Sequence, residues 1–363
     1  MHSQEEQLGI REDLLFETLD ESEIPPSDIV SFTELRSASD LVRMYQEAQL
    51  IIEPEFQREV VWSNSDQTRF IDSMIKQLPI PSMCFSLDYK TQTWQVIDGL
   101  QRISTILKFL TDKNWKLSNL DDIDKKIAGK NTKDFSDNNT ELLKLRRIVE
   151  NASLPINVLR CDYSKKDHRD YIFEIFHRLN TGGRALSNQE VRNCIYNGAL
   201  NTLLNRLNEN KEWLYISKLH TSTGKRYRGQ EIILRLFAFA DEYENYNGKL
   251  ARFLNDYMDT NQNPSEQMIS DLENQFQRVV SVVNRSLGDK ARSKSLTLFE
   301  AFLVGCWRNI DSVELMSIEE IKSRFDDLAN SPEFSTEALS EGLSAKDKVR
   351  IRMNKSESLL SNV

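Results

Sequence analysis

Apolar residues in the first half of the chain switch between two spacings. Phe70, Ile71, Met74, Ile75 and Leu78 recur every three or four residues after Ser65-Asp66, which predicts an amphipathic helix stopped by Pro79. Ahead of it, Ile51–Arg58 reads as extended, because Pro54 forbids a continuing helix and biases Glu53 toward β or polyproline geometry. Beyond it, Met83–Leu87 and Thr93–Ile97 read as two short strands joined by the polar turn Asp88-Tyr89-Lys90-Thr91. The second strand runs straight into Asp98-Gly99 and then a helix carrying Ile103, Ile106, Leu107 and Leu110. Leu154–Arg160 predicts a third strand, which Pro155 places at a sheet edge or makes start at Leu154.

From Asp167 onward the spacing is helical, over Tyr171–Leu179, Gln189–Tyr196, Leu200–Leu207, Glu231–Tyr243, Leu250–Met258, Met268–Leu287 and Leu296–Trp307. Residues 111–140, rich in Asp, Lys and Asn, predict a loop or mobile insertion, and the last twenty residues, which lose apolar periodicity, a frayed end. The pattern is therefore α+β. It predicts an acidic arm and lead-in over 1–44, a small mixed α/β unit over 45–165, a mostly helical unit over 166–343 and a flexible tail over 344–363.

Composition changes this picture little, with 39% hydrophobic and 28% charged residues in a chain of 363. No apolar run approaches a membrane span, and the N-terminus has neither a basic nor an apolar leader segment. Cys84, Cys161, Cys194 and Cys306 lie far apart without a C-x-x-C pair, as expected of reduced, mostly buried thiols in a cytoplasmic protein. Charge matters more. Residues 1–28 hold nine acidic side chains against Arg11 alone, so this arm carries −8 of the net −9. A nearly neutral body can still present a basic face, and the overall charge does not exclude a nucleic-acid partner.

Three stretches carry candidate chemistry. At Asp98-Gly99 a strand meets a helix N-terminus, where free amides and the helix dipole favour a phosphate. Gly99 permits a sharp turn and close approach, Arg102 can fork onto phosphate oxygens, and Asp98 can hold Mg²⁺ or orient a water. An ordinary Asp-Gly turn with Asp98 as a helix cap remains the alternative. The second stretch is Phe56-Gln57-Arg58…Trp62, where two aromatic anchors flank a Gln-Arg pair that needs an anionic partner if buried. The third is Arg178-Leu179-Asn180-Thr181-Gly182-Gly183, a helix end whose glycines allow a tight loop, followed by a Ser187…Glu190 capping box. Further along, Lys218–Gly229 gathers Lys225, Arg226 and Arg228 around Tyr227, a candidate nucleic-acid contact or a solvated loop.

Together, and in this order, these stretches resemble the N-terminal domain family of GmrSD-type modification-dependent restriction systems, which is similar to the ParB/sulfiredoxin fold. The resemblance rests on Phe56-Gln57-Arg58…Trp62, Asp98-Gly99-Leu100-Gln101-Arg102, Arg178–Gly183 with Glu190…Arg192-Asn193, and Gln230-Glu231-Ile232-Ile233-Leu234-Arg235, over roughly 45–260. It implies a ParB/sulfiredoxin-like nucleotide-binding unit in a regulatory component of anti-phage defence, binding and hydrolysing a nucleoside triphosphate with Mg²⁺ and acting with DNA and a nuclease or other effector. Carried over, Asp98, Gln101 and Arg102 are the catalytic core, and Asp98 is the metal ligand. Gln57, Arg58, Gly99, Thr105, Asn180, Gly182 and Gly183 complete the nucleotide site. Leu100 departs from the family pattern, which has Gln there, and this puts hydrolysis in doubt. No His lies beyond residue 220, so an HNH nuclease site is not expected, and the chain reads as a member without that domain. The competing reading is a DNA-binding or DNA-nicking module without nucleotide turnover.

Overall fold

The computed structural model describes residues 26–52, 62–136, 140–179, 187–221, 227–292, 295–339 and 342–361. They fall into two compact units, one within Glu23–Ala185 and one within Leu186–Val363. The α+β expectation holds.

The first unit is built on a five-stranded sheet of order β1-β5-β3-β4-β2. Its strands are β1 (Val30–Ser37), β2 (Leu50–Ile51), β3 (Met83–Asp88), β4 (Thr93–Asp98) and β5 (Ser153–Cys161). β1 runs antiparallel to β5, β5 parallel to β3, β3 antiparallel to β4, and β4 parallel to β2. Helices α1 (Ala38–Gln46), α2 (Asn64–Ile75), α3 (Leu100–Thr111), α4 (Thr140–Glu150) and α5 (Lys166–Leu179) complete the unit. Phe85, Val96, Ile103, Ile106, Val149, Ile156 and Val158 share one core with Ile71 and Met74 of α2, the helix foreseen from its spacing.

Several expectations need correction. β1 and α1 arise within the supposed lead-in, and α5 packs with the sheet unit rather than with the helices that follow. The strand containing Pro155 is interior, and the edge belongs to β1. Pro155 is tolerated because it faces Leu35 at a position that makes no ladder bond, one residue before the β3 pairing begins at Ile156. Residues 111–136 are not a mobile insertion. Trp115, Leu117, Ile123, Ile127 and Phe135 are buried in the core, and Phe109 meets Trp115 and Phe135 edge to face. The polar composition hid five anchors spaced too irregularly to show a period.

The second unit is helical: α6 (Asn188–Ile195), α7 (Ala199–Asn208), α8 (Arg228–Glu242), α9 (Leu250–Thr260), α10 (Glu266–Leu287), α11 (Leu296–Arg308), α12 (Ile318–Ala329) and α13 (Lys346–Leu360), joined through shorter turns. α13 replaces the predicted tail. It buries Val349, Met353 and Leu360 against α11, and Gly305 allows the approach, since a Cβ there would fall 3.0 Å from the Ser356 carbonyl carbon. Its polar residues outnumber its apolar ones, which is why periodicity missed it.

His220 stacks on Phe299 with ring centroids 4.8 Å apart, and burial lowers its pKa from 6.5 to about 4. The unfolded chain therefore takes up a proton between those values that the folded chain refuses, so stability is lost as the pH falls through this window. We expect about 2 kcal/mol to disappear between roughly pH 8 and pH 5. His220→Phe should flatten that slope in urea unfolding at the two pH values, and an unchanged slope would show the histidine to be uninvolved.

Candidate functional site

β4 ends at Asp98, and Gly99 turns the chain into α3 with a left-handed backbone, φ +100°. A side chain is excluded there, because a Cβ would lie 2.5 Å from Met83 Cγ. Gly99 brings no side chain to cap the helix, whose first backbone bond runs from Ile103 N–H to Gly99 O at 3.0 Å. The amides of Leu100, Gln101 and Arg102 precede that bond and so have no partner within the helix.

Asp98 and Arg102 face each other across one helical turn. Arg102 Nη2 donates to Asp98 Oδ2 at 2.7 Å, and Nη1 donates to the Pro81 carbonyl at 2.6 Å and to that of Ser82 at 3.3 Å. The Asp98 side chain is 37% exposed and that of Arg102 14%. The guanidinium is thus already committed to the carboxylate and to the chain entering β3. This geometry suits it to orient Asp98 through Oδ2.

Gln101 holds a neighbour. Its Oε1 accepts from the Trp62 backbone N–H at 3.2 Å, and Gln67 Nε2 donates to the Trp62 carbonyl at 3.4 Å. Trp62 packs edge to face on Phe70, 5.4 Å between centroids. The end of the Phe-Gln-Arg…Trp stretch is thereby fixed beside the Asp-Gly corner, as its place in the motif set suggests. Gln57 and Arg58 lie outside the described residues, as do Asn180, Gly182, Gly183, Lys225 and Arg226.

Two candidates are misplaced. Thr105 is fully buried, and its hydroxyl donates to the Gln101 carbonyl at 2.7 Å, so it closes the helix on itself and cannot reach a nucleotide. Arg228 is buried too, and pairs with Glu231 at 2.9 Å, so it offers no cation to a nucleic-acid backbone. The resemblance suggested Thr105 and a basic stretch suggested Arg228, and sequence cannot tell which face of a helix is sealed.

Sequence reasoning overlooked a polar row across the sheet. Register places Asp98 opposite Cys84, Cys84 opposite Asn157, and Asn157 opposite Thr33. Thr33 Oγ1 donates to Asn157 Oδ1 at 2.8 Å, and Asn157 Nδ2 to Ser82 Oγ at 3.4 Å. Asn157, the one polar side chain between Leu154 and Leu159, was the available signal. Burial, and then the Asp98 charge, push the Cys84 thiol up to about 12, so it is no nucleophile. Among the described residues no three His, Cys, Asp or Glu side chains gather to hold a metal ion. A Mg²⁺ at Asp98 would need phosphate oxygens to complete its shell, which is how magnesium commonly binds.

Residues 38–197 match the family model for the GmrSD restriction endonuclease N-terminal domain. The likeness to that domain is confined to this segment. No curated protein and no solved structure matches the chain. The GmrSD-type segment runs from α1 through α6, so it takes in the Asp-Gly corner, the Trp62 clamp and the Ser187–Glu190 capping box, which forms as expected. It stops short of Gln230–Arg235, the last stretch that suggested the resemblance. In the GmrSD-type family position where Gln is expected, Leu100 is partly buried against the hydrophobic core. Among the described residues no helix is long and apolar enough to cross a membrane.

Proposed function

We propose that this chain is a restriction-type defence component whose Asp98-Gly99 corner binds a nucleoside triphosphate together with Mg²⁺. The observation that carries the reading is a half-exposed carboxylate, held in place by Arg102, at the mouth of a helix start that no side chain caps. The amides of Leu100, Gln101 and Arg102 would receive phosphate oxygens, and the helix dipole would favour them. A bare Asp98 would repel phosphate; its carboxylate is the group that would hold Mg²⁺, whose charge would offset that repulsion. Arg102 then acts as the positioning residue for Asp98, and Gln101 as the clamp on the Trp62 segment. Leu100 supplies no polar group toward an attacking water, so turnover is expected to be slow. Nucleotide state would in turn regulate an effector acting on DNA.

Calorimetry of the whole chain with ATP, GTP and CTP, each with and without Mg²⁺, tests this. At least one triphosphate should bind only when Mg²⁺ is present. Asp98→Ala and Arg102→Ala should each weaken it about tenfold or more, or ~1.4 kcal/mol. Arg102→Lys should restore little, since a single ammonium cannot span the carboxylate and both carbonyls. If no triphosphate binds the wild type, or Asp98→Ala binds as tightly, the corner is a structural cap.

A further inference from the structure

Among the described residues β1 forms one edge of the sheet and pairs on one side only, with β5. Leu35 is 67% exposed, Val30 48% and Phe32 38%, an unusual load of apolar surface on an eight-residue edge strand. Natural edges are normally blunted by proline, lysine or a bulge. β1 has none of these, for its sequence is VSFTELRS and its register with β5 is unbroken from Val30 to Ser37. Its two charges, Glu34 and Arg36, are opposite in sign, so they leave no net charge along the edge to repel a second strand. Arg36 pairs with Glu34, donates to Asp40 Oδ2 at 2.6 Å, and lies over the Trp94 ring, 4.8 Å from its centroid.

The ladder fixes which backbone groups point outward. Ala38 N–H donates to Ala152 O at 3.2 Å, in line with the β1–β5 register. In an antiparallel pair the bonded positions alternate, so even-numbered residues of β1 bond to β5. The N–H and C=O groups of Ser31, Thr33 and Leu35 therefore face away from the sheet, as does the N–H of Ser37, whose carbonyl is taken up by the helix it caps.

We propose that β1 pairs antiparallel with β1 of a second copy of this chain, about a two-fold axis at Leu35. Charge chooses this register. An axis at Glu34 would set two carboxylates against each other, and an axis at Thr33 would set Phe32 against the partner's Glu34. The axis at Leu35 places Leu35 against the partner's Leu35, Glu34 against the partner's Arg36, and Thr33 against the partner's Ser37. Apolar meets apolar, hydroxyl meets hydroxyl, and opposite charges meet twice. The contact is a short one, so the dimer should form in the micromolar range rather than be permanent. It is independent of nucleotide binding, because no residue of the Asp98 corner takes part.

Sedimentation equilibrium of the full chain across the micromolar range tests the pairing with two variants. Leu35→Pro removes an outward N–H that the β5 ladder does not use, so it should abolish the dimer while leaving circular dichroism and thermal midpoint near those of the wild type. Leu35→Cys should form an intermolecular disulfide on mild oxidation, because residues on the axis lie about 5.5 Å apart between Cα atoms. Ser31→Cys, also exposed but displaced from the axis, should cross-link far less. A wild type that stays monomeric throughout overturns the proposal, as does cross-linking of Ser31→Cys equal to that of Leu35→Cys. Should Leu35→Pro fail to fold, the two cysteine variants decide alone.

Discussion

Glu300→Ala is expected to destabilise the helical unit by roughly 3–5 kcal/mol, the usual cost of stranding one member of a buried ion pair. Arg235 Nε lies 2.7 Å from Glu300 Oε2, and both side chains are almost wholly buried. Around them the described residues place Arg228 2.9 Å from Glu231, Arg192 3.6 Å from Glu231, and Arg235 3.7 Å from Glu231. Removing Glu300 takes a carboxylate from a neighbourhood rich in guanidinium groups. The partner truncation should behave differently. Burial pushes the Glu300 carboxyl up from its ordinary value and Arg235 opposes that. Without Arg235 the folded state would keep a proton on Glu300 that the unfolded chain releases, so stability falls as the pH rises above the unfolded carboxyl value. The loss in Arg235→Ala should therefore shrink in acid, while that in Glu300→Ala should not. Urea unfolding followed by circular dichroism at about pH 5 and pH 8 separates the two, and a loss under roughly 1 kcal/mol in Glu300→Ala would contradict the buried pair.

Gly99→Ala should cost roughly 2–5 kcal/mol, combining a left-handed backbone forced on an L-residue with a methyl group driven into Met83. These two contributions are separable. Met83→Ala in the same chain clears the atom 2.5 Å from the new Cβ but leaves φ at +100°, so the double variant should recover the steric part alone against Met83→Ala as reference. Thermal unfolding of the four proteins measures it. If the combined effect is simply additive, the clash with Met83 is relieved some other way and the tight turn is less constrained than the geometry indicates.

These positions also show what a sequence can and cannot disclose. The strands β3, β4 and β5 and the helix α2 were legible because their apolar residues keep a strict period against a single core. The need for glycine at 99 was legible because a strand cannot turn so abruptly into a helix otherwise. What stayed hidden depends on partners remote in sequence. β1 was absorbed into the lead-in because Val30 and Phe32 lie on one face of the strand and Leu35 on the other, so no single apolar stripe marks it. The commitment of Arg102 to Asp98 and two carbonyls stayed hidden, since spacing gives reach but not occupancy. Arg192, Asn193, Gln230, Glu231 and Arg235 caught the eye as motif residues, and among the described residues they prove to be an interior hydrogen-bonded network. Arg192 Nε donates to Asn255 Oδ1 at 2.8 Å and Asn193 Nδ2 to Gln230 Oε1 at 2.9 Å, all within the helical unit. Recurrent polar residues can thus mark the inside of a fold as readily as a ligand site.

The helix that replaces the expected tail has a consequence for how the molecule is made. Arg352 of α13 lies close enough to Glu300 to help hold its charge, and α13 covers α11 along the line opened by Gly305. Until residues 346–360 have been made, the side of α11 that α13 covers is bare and the Glu300 carboxylate lacks one of its cations. The helical unit therefore cannot close its core during synthesis until residues well beyond α11 have been made.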